Sequence, residues 1–137
     1  MKRRDLFAGV GASLLLGMPA AQAEALDYTE GLVQKHLAAG DTVFLDFKAS
    51  WCSTCAAQDR VIKALKAENP EYASSIVFID VDWDTYGRSK LVKDLRIPRR
   101  STLVVLKGKQ ELGRIVAQTG RRSIKALMDT ALAAAST

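Results

Sequence analysis

The chain has 137 residues, 48% of them hydrophobic, and a net charge of +5, which fits one compact domain behind a short leader. The first 23 residues hold three basic side chains and one acidic side chain, so residues 24–137 keep a net charge of only +3. This mild excess has no basic stripe interleaved with aromatic residues and no nucleic-acid-binding motif, so nucleic acid is not expected as a partner.

Residues 1–23 predict a signal peptide. Basic residues at 2–4 precede an apolar run at 6–17, and the sequence Ala-Gln-Ala at 21–23 suits signal peptidase cleavage after Ala23. The apolar run is too short to span a bilayer comfortably, which takes about 20 residues, so an uncleaved anchor is the less favoured alternative. Arg3 and Arg4 loosely match a twin-arginine signal, but the general secretory route is favoured. Either route predicts a periplasmic protein whose domain spans residues 24–137.

The domain is predicted to begin with a helix and a buried strand. Residues 28–40 have apolar side chains at helical spacing, and Gly40 is a suitable stop. Residues 42–47 form a nearly continuous apolar run, which is typical of a central strand covered on both faces. Asp46 interrupts this run. A buried carboxylate is costly unless it is paired, hydrated or protonated, so Asp46 is a candidate functional residue.

Cys52 and Cys55 are the only cysteines of the chain and lie at the start of a helix predicted over residues 52–69. A disulfide between them would close a ring over two intervening residues, which removes little entropy from the unfolded chain. A disulfide between them would therefore stabilise the fold only slightly, and reversible redox chemistry is the better explanation for this pair of cysteines. A zinc site would need four ligands, and the chain has only one histidine, His36, so no metal site is expected.

The second half continues the alternation of strands and helices. In order, the sequence predicts a buried strand over 75–82, a helix over 87–95, a strand over 102–107, a returning strand over 111–118 and an amphipathic helix over 122–134. Such alternation predicts an α/β fold with parallel inner strands, and the closing hairpin must be antiparallel. We therefore predict a mixed four-stranded sheet flanked by helices.

The cysteines have different predicted roles because they lie at different depths. A strand, a short turn and a helix place Cys52 at the helix N-terminus, where unpaired backbone N–H groups favour a thiolate and lower the pKa. Cys55 lies one turn further along and is expected to be more buried. Cys52 would attack a substrate disulfide, and Cys55 would then resolve the mixed disulfide.

Four motifs together resemble the thioredoxin superfamily over the whole of residues 24–137: VFLDF, WCSTC, RIP and TLVVLKGKQELGRIV. The resemblance implies a three-layer thioredoxin-like fold with Cys52 as nucleophile and Cys55 as resolving thiol. It implies that Asp46 is the buried acid that deprotonates Cys55.

The resemblance also implies a surface that binds the substrate. Trp51 would flank the cysteines and shape this surface. Pro98 would be a cis-proline facing the disulfide, and the backbone of Ile97 would pair with the bound peptide. A cis bond is a minority state for X–Pro bonds in general, so this expectation depends on the resemblance.

Several departures from the family pattern modify these expectations. Ser53 and Thr54 replace the Gly-Pro of ordinary thioredoxins, and their hydroxyls are candidates to hydrogen-bond sulfur and alter the redox potential. The family's lysine beside the buried acid is missing, and Lys48 is the candidate to take its place. The first strand of the family has no clear counterpart before Tyr28.

The segment after Pro98 is two residues longer than usual and contains Arg99 and Arg100, with Arg96 on the other side of the proline. These arginines either form a solvated basic loop or create a positive field that lowers the pKa of Cys52 and favours acidic partners.

We therefore expect a periplasmic thiol–disulfide oxidoreductase without a cofactor, monomeric, and more suited to reduction than to oxidation. The chain is thioredoxin-sized, and its segments leave no room for a large helical insertion. It lacks a third cysteine to recycle itself, so an external electron partner such as a membrane thiol transporter is implied. A disulfide oxidase or isomerase and a non-catalytic thioredoxin-fold binding module remain the alternatives.

Overall fold

A computed structural model describes residues 24–137. The predicted signal peptide, residues 1–23, lies outside this range. Across the described part of the chain, no helix combines the length and the apolar character needed to cross a membrane.

The fold contains five strands and six helices within residues 24–137. The strands are β1 (Leu26–Asp27), β2 (Thr42–Lys48), β3 (Val77–Asp82), β4 (Thr102–Lys107) and β5 (Gln110–Val116). The helices are α1 (Leu32–Ala38), α2 (Ser53–Glu68), α3 (Glu71–Ser75), α4 (Trp83–Tyr86), α5 (Lys90–Leu95) and α6 (Arg121–Ala135).

The strands form one mixed sheet in the order β1-β3-β2-β4-β5. β1 and β2 run parallel to β3, whereas β4 runs antiparallel to both β2 and β5. β2 is central, and its first six residues are all buried, as the nearly continuous apolar run predicted. The predicted α/β fold with a mixed sheet is therefore confirmed.

The sheet has five strands rather than the four predicted. The additional strand, β1, is only two residues long and pairs with β3 through Leu26–Ile79 and Asp27–Asp80. It occupies the sheet edge where the family's first strand was expected to be missing. Two residues give no alternation of apolar and polar side chains, so the sequence pattern could not reveal this strand.

The helices also differ from the predictions in three places, the first being α1, which begins at Leu32 and not at residue 28. The helix predicted over 87–95 is preceded by a separate helix, α4, whose first turn is capped by the Asp82 side chain accepting from the backbone N–H of Thr85. A short helix, α3, follows Pro70, a residue that suits the start of a helix. Gly40 adopts φ 88 just after α1, which agrees with its predicted role as a stop.

Two apolar cores cover the two faces of the sheet. Residues that alternate along β2 belong to different cores: Leu45 and Phe47 face the core beneath α1 and α5, and Phe44 faces the core beneath α2 and α6. Because α2 crosses the Phe44 face, it brings its N-terminal cysteines to the end of β2. The sheet and its two cores thus fix the position of the site.

Candidate active site

Cys52 and Cys55 form a disulfide at the start of α2, with their Cα atoms 5.3 Å apart. Cys52 is the N-cap of the helix, and its sulfur accepts a hydrogen bond from the backbone N–H of Cys55 at 3.1 Å. Cys55 is 1% exposed and Cys52 is 4% exposed. The first sulfur therefore lies at the positive end of the helix, and the second is slightly more buried.

Ser101, directly before β4, has a hydroxyl that contacts both sulfurs of the disulfide. Its Oγ lies 3.2 Å from the sulfur of Cys52 and 3.2 Å from the sulfur of Cys55. The side chain is completely buried. A buried hydroxyl that contacts both sulfurs was not among the predicted site residues.

The backbone around Ser101 is held by three hydrogen bonds. Its N–H donates to the carbonyl of Phe47 at 2.7 Å, and its own carbonyl accepts from the N–H of Ala117 at 2.8 Å. The buried side-chain amide of Gln58, on α2, donates to the Ser101 carbonyl and to the Gln118 carbonyl, both at 3.0 Å. β2, α2 and the residue that follows β5 therefore fix Ser101 against the disulfide.

The expectation of a cis Ile97–Pro98 bond is wrong, because every peptide bond within residues 24–137 is trans. Pro98 is exposed and lies three residues before Ser101, the residue that contacts the sulfurs. Ile97 is buried, and its N–H already donates to the Val92 carbonyl at 3.0 Å, so that donor is not free for a peptide. The residue that faces the disulfide is therefore Ser101 and not Pro98.

Trp51 precedes the disulfide and is 58% exposed, an unusual exposure for an indole. Its Nε1 donates to the carboxylate of Asp84 at 3.0 Å, and the guanidinium of Arg100 lies 4.4 Å from its ring centroid. Arg99 instead donates to the Arg100 carbonyl at 3.0 Å. The arginine that contacts the predicted substrate-facing surface is therefore Arg100.

Ser53 and Thr54 form the first turn of α2, where Ser53 is exposed and Thr54 is half-buried. Within the described residues, the Cys52 sulfur accepts from the Cys55 N–H and both sulfurs contact the Ser101 hydroxyl, whereas neither Ser53 nor Thr54 hydrogen-bonds a sulfur. The hydroxyl that contacts the sulfurs is therefore that of Ser101 and not that of Ser53 or Thr54.

Asp46 and Lys48, two residues apart, lie on the same face of β2, under α2. The Lys48 ammonium lies 4.0 Å from Asp46, 3.3 Å from Asp59 on α2 and 3.6 Å from Asp80 on β3. The single ammonium group of Lys48 therefore lies within 4.0 Å of three carboxylates. Asp46 is 4% exposed, and its Oδ1 has no hydrogen-bond partner within residues 24–137.

These contacts shift the titration of the cluster. Burial raises the pKa of Asp46 to about 7; the positive charge of Lys48 opposes this rise and the negative charge of Asp80 adds to it. Burial also raises the pKa of Asp80, again opposed by Lys48. Burial alone would lower the pKa of Lys48, but the charges of Asp46, Asp80 and Asp59 together raise it. Asp46 can therefore accept and return a proton near neutral pH.

A cleft of about 370 Å³ connects this cluster to the surface between β2, β3 and α2. Its lining includes Asp46, Lys48, Asp80 and Lys66, with the rings of Phe44 and Phe78 on the apolar side. The cleft offers a route for protons to the buried carboxylate. Among residues 24–137, no group of three or more His, Cys, Asp or Glu side chains is arranged to hold a metal ion.

Sequence reasoning missed Ser101, Gln58 and Asp84. The extra length after Pro98 was the available signal for Ser101, because lengthening that segment moves a different residue opposite the disulfide. Gln58 faces the core in the middle of α2, where a polar residue at an apolar position is a sign of a buried hydrogen bond. No sequence signal connects Asp84 with Trp51.

Residues 24–130 match the family model described as Thioredoxin. A curated relative, Thioredoxin H2-1 of Oryza sativa subsp. japonica, is 31% identical over 74 residues, which are 54% of this chain and 49% of that protein. The chain thus spans about half the length of the curated relative that it matches.

Solved structures give the same result for the fold. Trxlp from Edwardsiella tarda EIB202 is 25% identical, with a TM-score of 0.62 over 77% of this chain and 96% of that chain. Thioredoxin from Trypanosoma brucei brucei is 21% identical, with a TM-score of 0.62 over 84% of this chain and 94% of that chain. These similarities agree with the five-stranded sheet and its flanking helices.

Proposed function

The chain belongs to the thioredoxin family, and from that premise we propose that it is a thiol–disulfide oxidoreductase acting on protein disulfides. The observation that carries the proposal is the position of Cys52. Its sulfur caps α2, accepts the Cys55 N–H at 3.1 Å and is bonded to a deeper partner. This arrangement stabilises the Cys52 sulfur as an anion and leaves the buried Cys55 sulfur to resolve the mixed disulfide.

The first step is attack by Cys52 on a substrate disulfide. In the dithiol form, the Cys52 thiolate forms a bond with one substrate sulfur, and the substrate S–S bond breaks. The other substrate sulfur leaves as a thiolate and takes up a proton from water. The helix N-terminus favours this step because it stabilises the attacking anion at neutral pH.

The second step is attack by Cys55 on the sulfur of Cys52. Cys55 must first lose its proton, and we assign Asp46 as the acceptor, since its pKa of about 7 matches that task. The new Cys52–Cys55 bond forms, the mixed disulfide breaks, and the second substrate sulfur leaves and is protonated. Two electrons pass from the cysteine pair to the substrate.

The exposed face of Trp51 is our candidate for substrate contact. Asp84 fixes the indole edge and Arg100 covers one ring face, so the ring is held in place without being buried. A rigid, half-exposed aromatic ring next to the reactive sulfur suits a protein partner, since aromatic residues are enriched where protein surfaces meet. Arg100 adds positive charge, which favours substrates with acidic residues near their disulfide.

We propose that the protein works as a reductant in the periplasm. Between β3 and β4 it has only α4 and α5, two short helices, rather than a helical domain that would cover the disulfide. The two cysteines both belong to the redox pair, so electrons must come from another protein, for which a membrane thiol transporter is the proposed source. We infer this location from residues 1–23, which resemble a signal peptide for export by the Sec or the Tat route.

Insulin reduction by dithiothreitol tests the activity. The wild-type protein should accelerate precipitation of the insulin B chain, and Cys52→Ser should abolish the acceleration. Cys55→Ser retains the nucleophile and should instead accumulate a mixed disulfide, visible as a mass increase that a reductant removes. Equal rates for wild type and Cys52→Ser would support the non-catalytic binding module instead.

Equilibration with glutathione tests the direction. A potential near that of thioredoxin, about −270 mV, would support a reductant, whereas a potential near −120 mV, about that of a dedicated oxidant, would support the oxidase or isomerase alternative. Trapping Cys55→Ser complexes in cells would identify the substrates.

A further inference from the structure

The hydroxyl of Ser101 is placed to interact with either sulfur of the redox pair. Its Oγ is equally far from both, at 3.2 Å, and it is shielded from water. A serine hydroxyl has one hydrogen to donate and lone pairs that can accept. It can therefore donate to only one sulfur at a time, and it can accept from the other sulfur when that sulfur is a thiol.

The position of this hydroxyl is fixed by the fold. Ser101 has φ 65, a left-handed conformation that non-glycine residues adopt uncommonly, and its N–H and carbonyl groups are bonded to β2, α2 and the end of β5. Such a conformation persists only where the surroundings hold it in place. Since the backbone cannot move readily, the hydroxyl hydrogen can change partner only by rotating about the Cβ–Oγ bond.

We propose that Ser101 is a catalytic residue whose hydroxyl donates its hydrogen to whichever of the two cysteines is anionic, first Cys52 and then Cys55. The proposal rests on the oxidoreductase function proposed above and adds to it a group that serves both half-reactions. Hydrogen bonds to charged groups are stronger than those to neutral groups, so the donation is worth most when a sulfur is a thiolate.

The exchange follows the charge through the reaction. In the dithiol form, Ser101 donates to the Cys52 thiolate and accepts from the Cys55 thiol. Once Cys52 has bonded to a substrate sulfur, its charge has passed to the departing substrate thiolate, which is protonated by water. Cys55 then gives up its proton to Asp46, and the Ser101 hydroxyl turns to the new thiolate. Attack by Cys55 closes the disulfide and releases the second substrate thiolate.

The hydroxyl has consequences that mere packing would not have. By stabilising the Cys52 thiolate it should lower the pKa of that cysteine and stabilise the dithiol relative to the disulfide. Removing it should raise the Cys52 pKa and make the protein more reducing. A hydroxyl that only fills space would change stability without changing either quantity.

The test uses Ser101→Ala and Ser101→Gly, with Thr102→Val as the matched control. Both Ser101 variants lose the hydroxyl, but glycine also relieves the positive φ, so it remains informative if the alanine variant folds poorly. Thr102 is the adjacent buried hydroxyl, and its Oγ1 donates to the Arg99 carbonyl at 2.7 Å instead of contacting a sulfur. The thiolate absorbance of the reduced proteins gives the Cys52 pKa without any substrate.

We expect both Ser101 variants to raise the Cys52 pKa by about one pH unit, because a hydrogen bond to a charged group is typically worth about a tenfold change in ionisation. We also expect the equilibrium with glutathione to move about tenfold toward the protein disulfide. Thr102→Val should leave both quantities at their wild-type values.

Three outcomes would overturn the role of Ser101 without touching the proposed function. The first is an active wild-type protein with an unchanged Cys52 pKa and glutathione equilibrium in both Ser101 variants. The second is an equal shift in Thr102→Val, which would assign the effect to a loosened segment. The third is a shift in alanine but not in glycine, which would assign it to backbone strain. An inactive wild-type protein would instead overturn the proposed function itself.

Discussion

At the scale of single residues, Asp46 makes the stability of the protein depend on pH. The folded state holds its proton up to about pH 7, whereas an unfolded chain releases it at about pH 4. Between these values the folded state binds more protons, so stability falls as the pH rises. Asp46→Asn removes this cost and should raise the free energy of unfolding by roughly 2–4 kcal/mol at pH 8, with little change at pH 4.

Urea unfolding of the oxidised protein at pH 4 and pH 8 measures this difference. Asp27→Asn is a suitable control, because Asp27 lines the same cleft but is exposed. A gain of equal size at both pH values would contradict the explanation, since the effect would then be one of packing and not of ionisation.

Lys48 is the residue whose charge opposes the raised pKa of Asp46. Lys48→Met should raise the pKa of Asp46 beyond about 7 and shift the resolving step to higher pH, because the carboxylate loses its nearest cation. Carbon-13 carboxyl NMR of the oxidised protein reads the Asp46 titration directly.

Lys63→Met is the matched control for Lys48→Met. Lys63 is 75% exposed and pairs with Asp59 at 3.1 Å, so its removal deletes an equal charge from the rim of the same cluster. If both variants moved the Asp46 titration equally, the effect would come from net charge and not from the position of Lys48.

The reactive residues were predictable from sequence to the extent that their chemistry is local. The spacing of Cys52 and Cys55 fixes their place on one helix turn, and the spacing of Asp46 and Lys48 fixes their shared face of a strand. Ser101 lies 46 residues beyond Cys55, in a segment whose path depends on loop length and on hydrogen bonds to three other elements. Its contact with the sulfurs could not be predicted from sequence.

At the scale of elements, Gln58 joins α2 to the segments on either side of the β4–β5 hairpin. Gln58→Leu keeps the volume but leaves the Gln118 carbonyl without its donor and the Ser101 carbonyl with one donor in place of two. We expect a loss of about 1–3 kcal/mol in the free energy of unfolding, because two hydrogen bonds of about 0.5–1.5 kcal/mol each are removed.

Urea unfolding measures this loss, and hydrogen exchange localises it. Amides that close the segment, such as the Ser101 N–H and the Ala117 N–H, should exchange faster in Gln58→Leu. Gln34→Leu makes the same change at an exposed position on α1 and should have a much smaller effect on stability. A similar loss in both variants would contradict the assigned role of the buried amide.

Elements with strong periodicity were predicted well, and short ones were not. The buried run of β2 and the apolar face of α6 place many side chains in one pattern, and the structure buries them as predicted. β1, α3 and α4 have between two and five residues, too few for any period to be visible. β1 exists because β3 offers it an open edge, which is a property of the assembled sheet.

At the scale of the whole molecule, the sheet separates two cores that should respond independently to mutation. Ile79 belongs to one core and Met128 to the other, and both are fully buried. Ile79→Val should cost about 0.5–1.5 kcal/mol and Met128→Ala about 2–5 kcal/mol. Their effects should add to within about 0.5 kcal/mol in the double variant, since the two sites share no partners.

A pair within one core provides the contrast. Ile124 and Met128 lie one turn apart on α6 and face the same core, so Ile124→Val and Met128→Ala should couple by at least about 0.5 kcal/mol. Urea unfolding of the single and double variants measures both cycles. Coupling of equal size across the sheet would contradict the independence of the two cores.

The overall architecture was predictable because alternating strands and helices, with a hairpin at the end, allow few layered arrangements. What the sequence pattern left open is how the layers meet at the active site. The contacts of Trp51 with Asp84 and Arg100 join residues from three separate segments, and only the assembled fold brings them together.

Both tryptophans of the chain lie beside the disulfide: Trp51 directly precedes Cys52, and Trp83 packs against the cluster formed by the two cysteines and Ala49. A disulfide accepts an electron readily from an excited indole, whereas a dithiol does so poorly. The intrinsic fluorescence should therefore brighten on reduction and give a label-free optical record of turnover. The same placement means that fluorescence-detected unfolding follows the neighbourhood of the sulfurs, and the opposite end of the sheet needs a different probe.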